Sequence, residues 1–172
     1  MDYAKEYVTS SIFICWGAQA ALQYYYGIDK VPLPEKMFGI YANRASDKNE
    51  LLLKGADDVF YIPMSRHTTM DERQIKDHGA LEVLASTESG SSIIKSKDNK
   101  NFFFFGHSEY DADTLKKEYL RDLEKGMQIK PPVNYFDGDD LENISVTWRS
   151  TANLLFSNWL NYYVYQITPF EF

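Results

Sequence analysis

At 172 residues, 44% of them hydrophobic and 16% aromatic, the chain can bury one substantial core and is neither disordered nor fibrous. A formal charge of -7 with no long basic run argues against nucleic-acid binding, where clustered Lys and Arg supply most of the affinity. One cysteine forbids an intrachain disulfide, no apolar run approaches membrane-spanning length, and the first residues carry no apolar signal core, so a reducing cytoplasm is the expected location.

Residues 1–7 read as the last turns of a helix and 8–11 as a link. The apolar Ile12-Phe13-Ile14 predicts a buried strand of parallel type, and residues 18–26 a helix closed by Gly27. Cys15 falls on the turn between them. A side chain on such a turn is pushed out of the sheet edge, beside the first free amides of a helix whose dipole favours thiolate over thiol. This is the pattern of a nucleophile elbow with sulfur in place of oxygen; the plainer alternative is a small buried hydrophobe.

Pro32 and Pro34 break the chain, and residues 35–41 resume as a short strand. Residues 47–54 and 58–63 and the triplet Ser65-Arg66-His67 predict mixed β structure opening into an exposed polar loop, with a short helix over 73–79. Residues 81–85 and 92–96 read as two strands joined by Glu88-Ser89-Gly90-Ser91. Asp98-Asn99-Lys100-Asn101 then turns into the four-phenylalanine run 102–105, apolar on both faces and therefore a central strand. Leu115, Tyr119, Leu120 and Leu123 have helical spacing within 113–126, where Asp111 or Asp113 can cap. Residues 131–136 and the acidic Asp137-Gly138-Asp139-Asp140 predict an irregular surface segment, and 148–166 a terminal helix packed on the sheet. No repeat or linker divides the chain, so 1–172 is expected to be one domain.

The second informative motif is Gly106-His107-Ser108-Glu109-Tyr110-Asp111, directly after the phenylalanine strand. His107 and Glu109 stand two apart at the carboxyl end of a strand, the edge where parallel sheets place their chemistry. Acyl transfer through a nucleophile needs a base near neutrality and a carboxylate that fixes its tautomer; Cys15, His107 and Glu109 supply these parts. The three histidines have no ligand spacing among themselves or with Cys15, so no metal site is expected.

Ile14-Cys15-Trp16-Gly17-Ala18-Gln19-Ala20, the stretch from Gly106-His107-Ser108-Glu109 on to Leu115, Thr147-Trp148-Arg149-Ser150, and Asn158-Trp159-Leu160-Asn161-Tyr162-Tyr163 with their neighbours resemble the homoserine O-acyltransferases of the MetA type. The likeness runs over essentially the whole chain and covers the carboxyl-terminal half or so of that family. It implies an α/β fold of the class I glutamine amidotransferase-like (flavodoxin-like) kind, a sheet with helices on both faces, here without its amino-terminal strands. It implies that Cys15 is the acyl-accepting nucleophile, His107 the general base and Glu109 its orienting carboxylate, with the Trp16 amide in the oxyanion hole. Lys36 and Ser65 match substrate-contacting residues, and Arg121 the arginine that holds homoserine.

The same resemblance implies the reaction: an acetyl or succinyl group passes from acyl-CoA to the γ-hydroxyl of L-homoserine through an acyl-cysteine, in methionine biosynthesis. Acyl-CoA would be a co-substrate, with no bound cofactor, and a homodimer is expected. Where Ser108 stands, the family usually has proline. A second oxyanion donor, part of the acyl-CoA pocket and the position choosing acetyl or succinyl are expected before Met1, as in a gene fragment, a mis-assigned start or a deliberately expressed half. The competing readings are a catalytically incomplete fragment and a glutamine amidotransferase-like cysteine hydrolase.

Overall fold

The phenylalanine run forms an inner strand of the six-stranded sheet, one in from its edge. In this computed structural model, which describes residues 1–47, 49–138 and 140–169, strand β6 (Asn101–Phe104) lies between β1 (Ser11–Ile14) and β5 (Gly90–Ser96). It runs parallel to β1 and antiparallel to β5. Strand alternation sends its aromatic rings to opposite faces. Phe102 and Phe104 join Leu52, Phe60, Ile62, Leu84, Ile93 and Leu155 on one side. Phe103 and Phe105 join Ala18, Ala21, Leu22, Met70 and Ile94 on the other.

The remaining strands are β4 (Leu81–Thr87), β2 (Lys30–Ala45) and β3 (Val59–Met70), giving the order β1-β6-β5-β4-β2-β3. Helices cover both faces, as expected: α2 (Trp16–Tyr26) closes one core, and α5 (Arg149–Trp159) with the π-helical Leu160–Tyr165 closes the other. Gly27 ends α2 in the left-handed conformation, its amide bonded to the Gln23 carbonyl. A third cluster, Phe38, Ile40, Leu115, Tyr119, Tyr135 and Trp148, seats α4 (Thr114–Glu124) on the outside of β2. The short helices α1 (Asp2–Tyr7) and α3 (Glu72–Asp77) complete the described helical segments, with a 3-10 turn at Leu51–Leu53.

Several expectations are corrected. Within the six-stranded sheet β1–β6 is the parallel pair and the other strand pairings are antiparallel. Pro32 and Pro34 do not break the chain but lie inside the 16-residue β2, where the register with β3 shifts between Pro32 and Met37. That half of the strand pairs with β3 alone, and a bulge absorbs residues that lack an amide. Ser65-Arg66-His67 is not an exposed loop: it is the middle of β3, with Arg66 buried and His67 exposed. Asp113 stands at the start of α4 but makes no capping side-chain bond, pairing with Lys117 instead at 2.7 Å. The acidic segment contains a small hairpin, β7 (Phe136–Asp137) and β8 (Asp140–Ile144), preceded by a fully buried Tyr135; Asp139 lies outside the described residues.

The sheet curls so that β3 returns to the end of β6. The His107 amide donates to the Pro63 carbonyl at 2.7 Å, and a Cβ on Gly106 would lie 2.4 Å from Ile62. A second close approach joins Gly39 to Val133. Gly39 has φ +137°, and an added Cβ would stand 2.3 Å from the Val133 carbonyl oxygen. Gly39→Ala is therefore expected to destabilise the fold by about 2 to 4 kcal/mol, from backbone strain plus a backbone clash that cannot relax cheaply, as denaturant unfolding would measure.

Candidate active site

Cys15 occupies the turn from β1 into α2 with φ 50° and ψ -114°, a conformation that costs a non-glycine residue about 1 to 3 kcal/mol and collects at functional sites. Its amide donates to the Phe104 carbonyl at 2.7 Å, continuing the β1–β6 ladder by one bond. Its carbonyl already accepts from the Gln19 amide at 3.1 Å, so the helix starts at once. Trp16 is the first residue of α2; its indole is exposed, and a first-turn amide has no partner within its own helix. The Cys15 sulfur lies 3.9 Å from the Ser65 carbonyl oxygen of β3.

His107 follows the end of β6 and approaches the same sulfur. Its Nδ1 lies 2.7 Å from Glu109 Oε1, which leaves Nε2 for the hydrogen bond with Cys15. Its ring stacks on Tyr110, with centroids 4.1 Å apart. Burial pushes the imidazolium down; the hydrogen bonds and negative charge of Cys15 and Glu109 outweigh it and raise His107 to about 9. Tyr110 is pushed up, by burial first and then by the charges of Glu118, Cys15 and Glu109.

Lys36, Ser65 and Arg121 come together around a carboxylate that the sequence reading passed over. Glu118 Oε1 lies 2.7 Å from Lys36 Nζ, accepts from Ser65 Oγ at 2.6 Å, and stands 3.8 Å from Arg121 Nη2. Asp122, one helical turn on, is buried; its Oδ1 accepts from Arg121 Nε at 2.8 Å and Nη2 at 2.7 Å, and its Oδ2 lies 3.5 Å from Lys36. Lys36 also sits 4.0 Å over the Phe38 ring. A signal was present: Leu115, Glu118, Tyr119 and Asp122 share one face of α4 by helical spacing, so both carboxylates had to face the sheet. Beside Lys36 opens a cleft of about 430 Å³ lined in part by His67, Tyr41 and Ile129.

All seven residues singled out by the sequence thus fall around one place, the Cys15 elbow, with Tyr110 between the histidine and Glu118. Among the described residues no cluster of three or more His, Cys, Asp or Glu could hold a metal, and no helix is long and apolar enough to cross a membrane.

Fold and elbow define the class: an α/β protein of the class I glutamine amidotransferase-like kind. A solved glutamine amidotransferase from Thermotoga maritima superposes with a TM-score of 0.65 at 18% identity, over 95% of this chain and 66% of that one. A glutamine amidotransferase from Methylobacillus flagellatus gives 0.62 at 15% identity, over 92% and 65%. Within that class the sequence is more specific. Residues 1–170 match the homoserine O-succinyltransferase (HTS) family model, and the chain belongs to that family. It is 54% identical to a homoserine O-acetyltransferase of Clostridium acetobutylicum and 51% identical to one of Bacillus licheniformis, each over 99% of this chain. It spans 57% of the length of these relatives.

The raised histidine sets a pH window. His107 holds a proton in the folded state that an unfolded chain releases near pH 6.5, so its contribution is complete below about 6.5 and is lost as pH rises through about 9. Unfolding free energy is expected to fall by about 1 to 3 kcal/mol across that window. NMR titration of the imidazole should show the same midpoint, about 9, and Glu109→Gln should lower it by about one unit or more. A native midpoint near 6.5 would show that the Cys15–His107–Glu109 charges are not coupled.

Proposed function

We propose that this chain carries the acyl-transfer centre of a homoserine O-acyltransferase, working through an acyl-cysteine in two half-reactions. The observation that carries the reading is the strained Cys15 elbow joined to the His107–Glu109 pair. In the first half-reaction the Cys15 thiolate adds to the thioester carbonyl of acyl-CoA. The oxyanion is held at the first amides of α2, Trp16 foremost; the bond to the CoA sulfur breaks, and His107 gives that sulfur its proton. Each donor to that oxyanion is worth about 2.7 to 4 kcal/mol of transition-state stabilisation.

In the second half-reaction homoserine enters on the Lys36–Ser65–Glu118–Arg121 side. The Arg121 fork suits its carboxylate, and the Glu118 carboxylate is the matching charge for its ammonium. His107 takes the proton from the γ-hydroxyl as that oxygen attacks the thioester, and Cys15 leaves as thiolate. The named relatives favour acetyl over succinyl, although the family model carries the succinyl name. A cytoplasmic homodimer supplying O-acylhomoserine to methionine biosynthesis completes the reading. A glutaminase reading has the fold alone behind it, since the amidotransferases are 15–18% identical, and glutamine hydrolysis is expected to be absent.

The test is the intact mass of the purified chain after incubation with acetyl-CoA and, separately, succinyl-CoA. One acyl group is expected on the native chain, none on Cys15→Ala, and loss of the adduct on adding L-homoserine. Cys15→Ala should stay within about 1.5 kcal/mol of native stability, since it removes one small side chain. A folded native chain that takes up no acyl group would identify it as a catalytically incomplete piece; an adduct surviving in Cys15→Ala would overturn the nucleophile assignment.

A further inference from the structure

Arg66 is the residue of the site region that the proposed reaction leaves without a task. It stands in the middle of β3 with 4% of its surface exposed. Ser65 turns its hydroxyl to Glu118; strand alternation sends Arg66 the other way, where its guanidinium carbon lies 5.4 Å from the centroid of the Phe105 ring. Nη1 donates to the Thr68 carbonyl at 3.0 Å. Nε and Nη2 are buried with no hydrogen-bond partner among the described residues.

The Thr68 carbonyl also accepts from Gln19 Nε2 at 2.9 Å, and the Thr68 hydroxyl donates to Gln19 Oε1 at 2.7 Å. Gln19 belongs to the first turn of α2, and its amide closes that turn on the Cys15 carbonyl. The guanidinium is therefore tied in beneath the turn that Cys15 begins.

A buried cation is costly unless an anion answers it, and a helix N-terminus offers charge of the wrong sign. Burial pulls the Arg66 guanidinium below its usual range, and the charges that oppose it are those of Cys15, Tyr41 and Glu72. Glu72 is committed to the amide and hydroxyl of Ser91 and to Lys76 at 3.5 Å. The Tyr41 hydroxyl accepts from the Phe38 amide, and burial pushes the phenol up, which keeps it neutral. The sulfur of Cys15 remains. On its other side stand His107, with Glu109 behind it, and Tyr110, which is also held neutral; the first turn of α2 contributes no acidic side chain.

We propose that Arg66 is a positioning residue for the nucleophile: a fixed positive charge under α2 that holds the Cys15 sulfur as the anion and braces the elbow through Thr68 and Gln19. This rests on the reading of Cys15 as nucleophile, and it adds to His107 a cation that no pH in the working range can discharge.

Because the chain has one cysteine, alkylation by iodoacetamide followed by intact mass reports on Cys15 alone. Arg66→Met is expected to slow alkylation about tenfold or more at about pH 6, and to leave it within about twofold of native at about pH 9.5, where an ordinary thiol is ionised. Equal rates at pH 6 in a folded Arg66→Met would overturn the proposal while leaving the nucleophile assignment intact. Equal loss at both pH values would reduce Arg66 to a structural brace and overturn the charge role. A native chain that reacts at pH 6 no faster than a cysteine peptide would overturn both readings together. If Arg66→Met does not fold, Arg66→Lys decides: it keeps the charge and should stay within about threefold of native at pH 6, and a tenfold loss there in a folded protein would overturn the proposal.

Discussion

The Cys15 amide donating to the Phe104 carbonyl is the bond on which the geometry of the site depends. It extends the parallel β1–β6 ladder to the first residue of the elbow, and three residues beyond Phe104 the other strand delivers His107. Sulfur and imidazole are therefore positioned by backbone, not by flexible side chains. The phenylalanines hold that ladder still. Each face of β6 is pinned by a separate core, so neither strand can rotate without opening one of them.

Charge is organised around the same ladder in two layers. On the open side Glu118 and Asp122 collect Lys36, Ser65 and Arg121, leaving Arg121 more than half exposed and able to exchange a protein carboxylate for a substrate's. On the closed side Arg66 sits under α2. Farther away, a third set is purely architectural: Lys95 meets Glu50 at 2.6 Å, and the Tyr163 hydroxyl donates to the same carboxylate. Burial alone would push Glu50 up, but the hydrogen bonds from Lys95 and Tyr163 reverse that and hold it below the usual range. This clamp fastens the π-helical end of the chain to the sheet, where a packed apolar residue would have less directional hold.

How much of this was legible depended on whether a signal was local. Strand β1, the elbow and helix α2 could be read because an apolar triplet, a cysteine and Gly27 mark them in order. Helix α4 could be read from its period and β6 from being apolar on both faces. The prolines of β2 misled, since the bulge that tolerates them is a property of the pairing with β3 and not of the segment. Ser65-Arg66-His67 misled for a related reason: three polar residues look like a loop, and only the curl of the sheet shows what each side of the strand faces. Cys15, His107 and Glu109 were recognisable as parts, and Lys36, Ser65 and Arg121 by family likeness. Glu118, which draws the last three together, carried no motif and was visible only as a position on a helix face.

The bulge between Pro32 and Met37 has a consequence for how such a chain can vary. By absorbing the extra residues of β2 at one place, it sets the pairing of Met37 with Arg66 and Phe38 with Ser65. Side chains along β3 alternate, so displacing that pairing by one position would exchange the residues presented to the open and closed sides of the elbow. The segment can therefore drift freely in the identity of its exposed residues but not in its number of residues. Insertions and deletions there would have to come in compensating pairs.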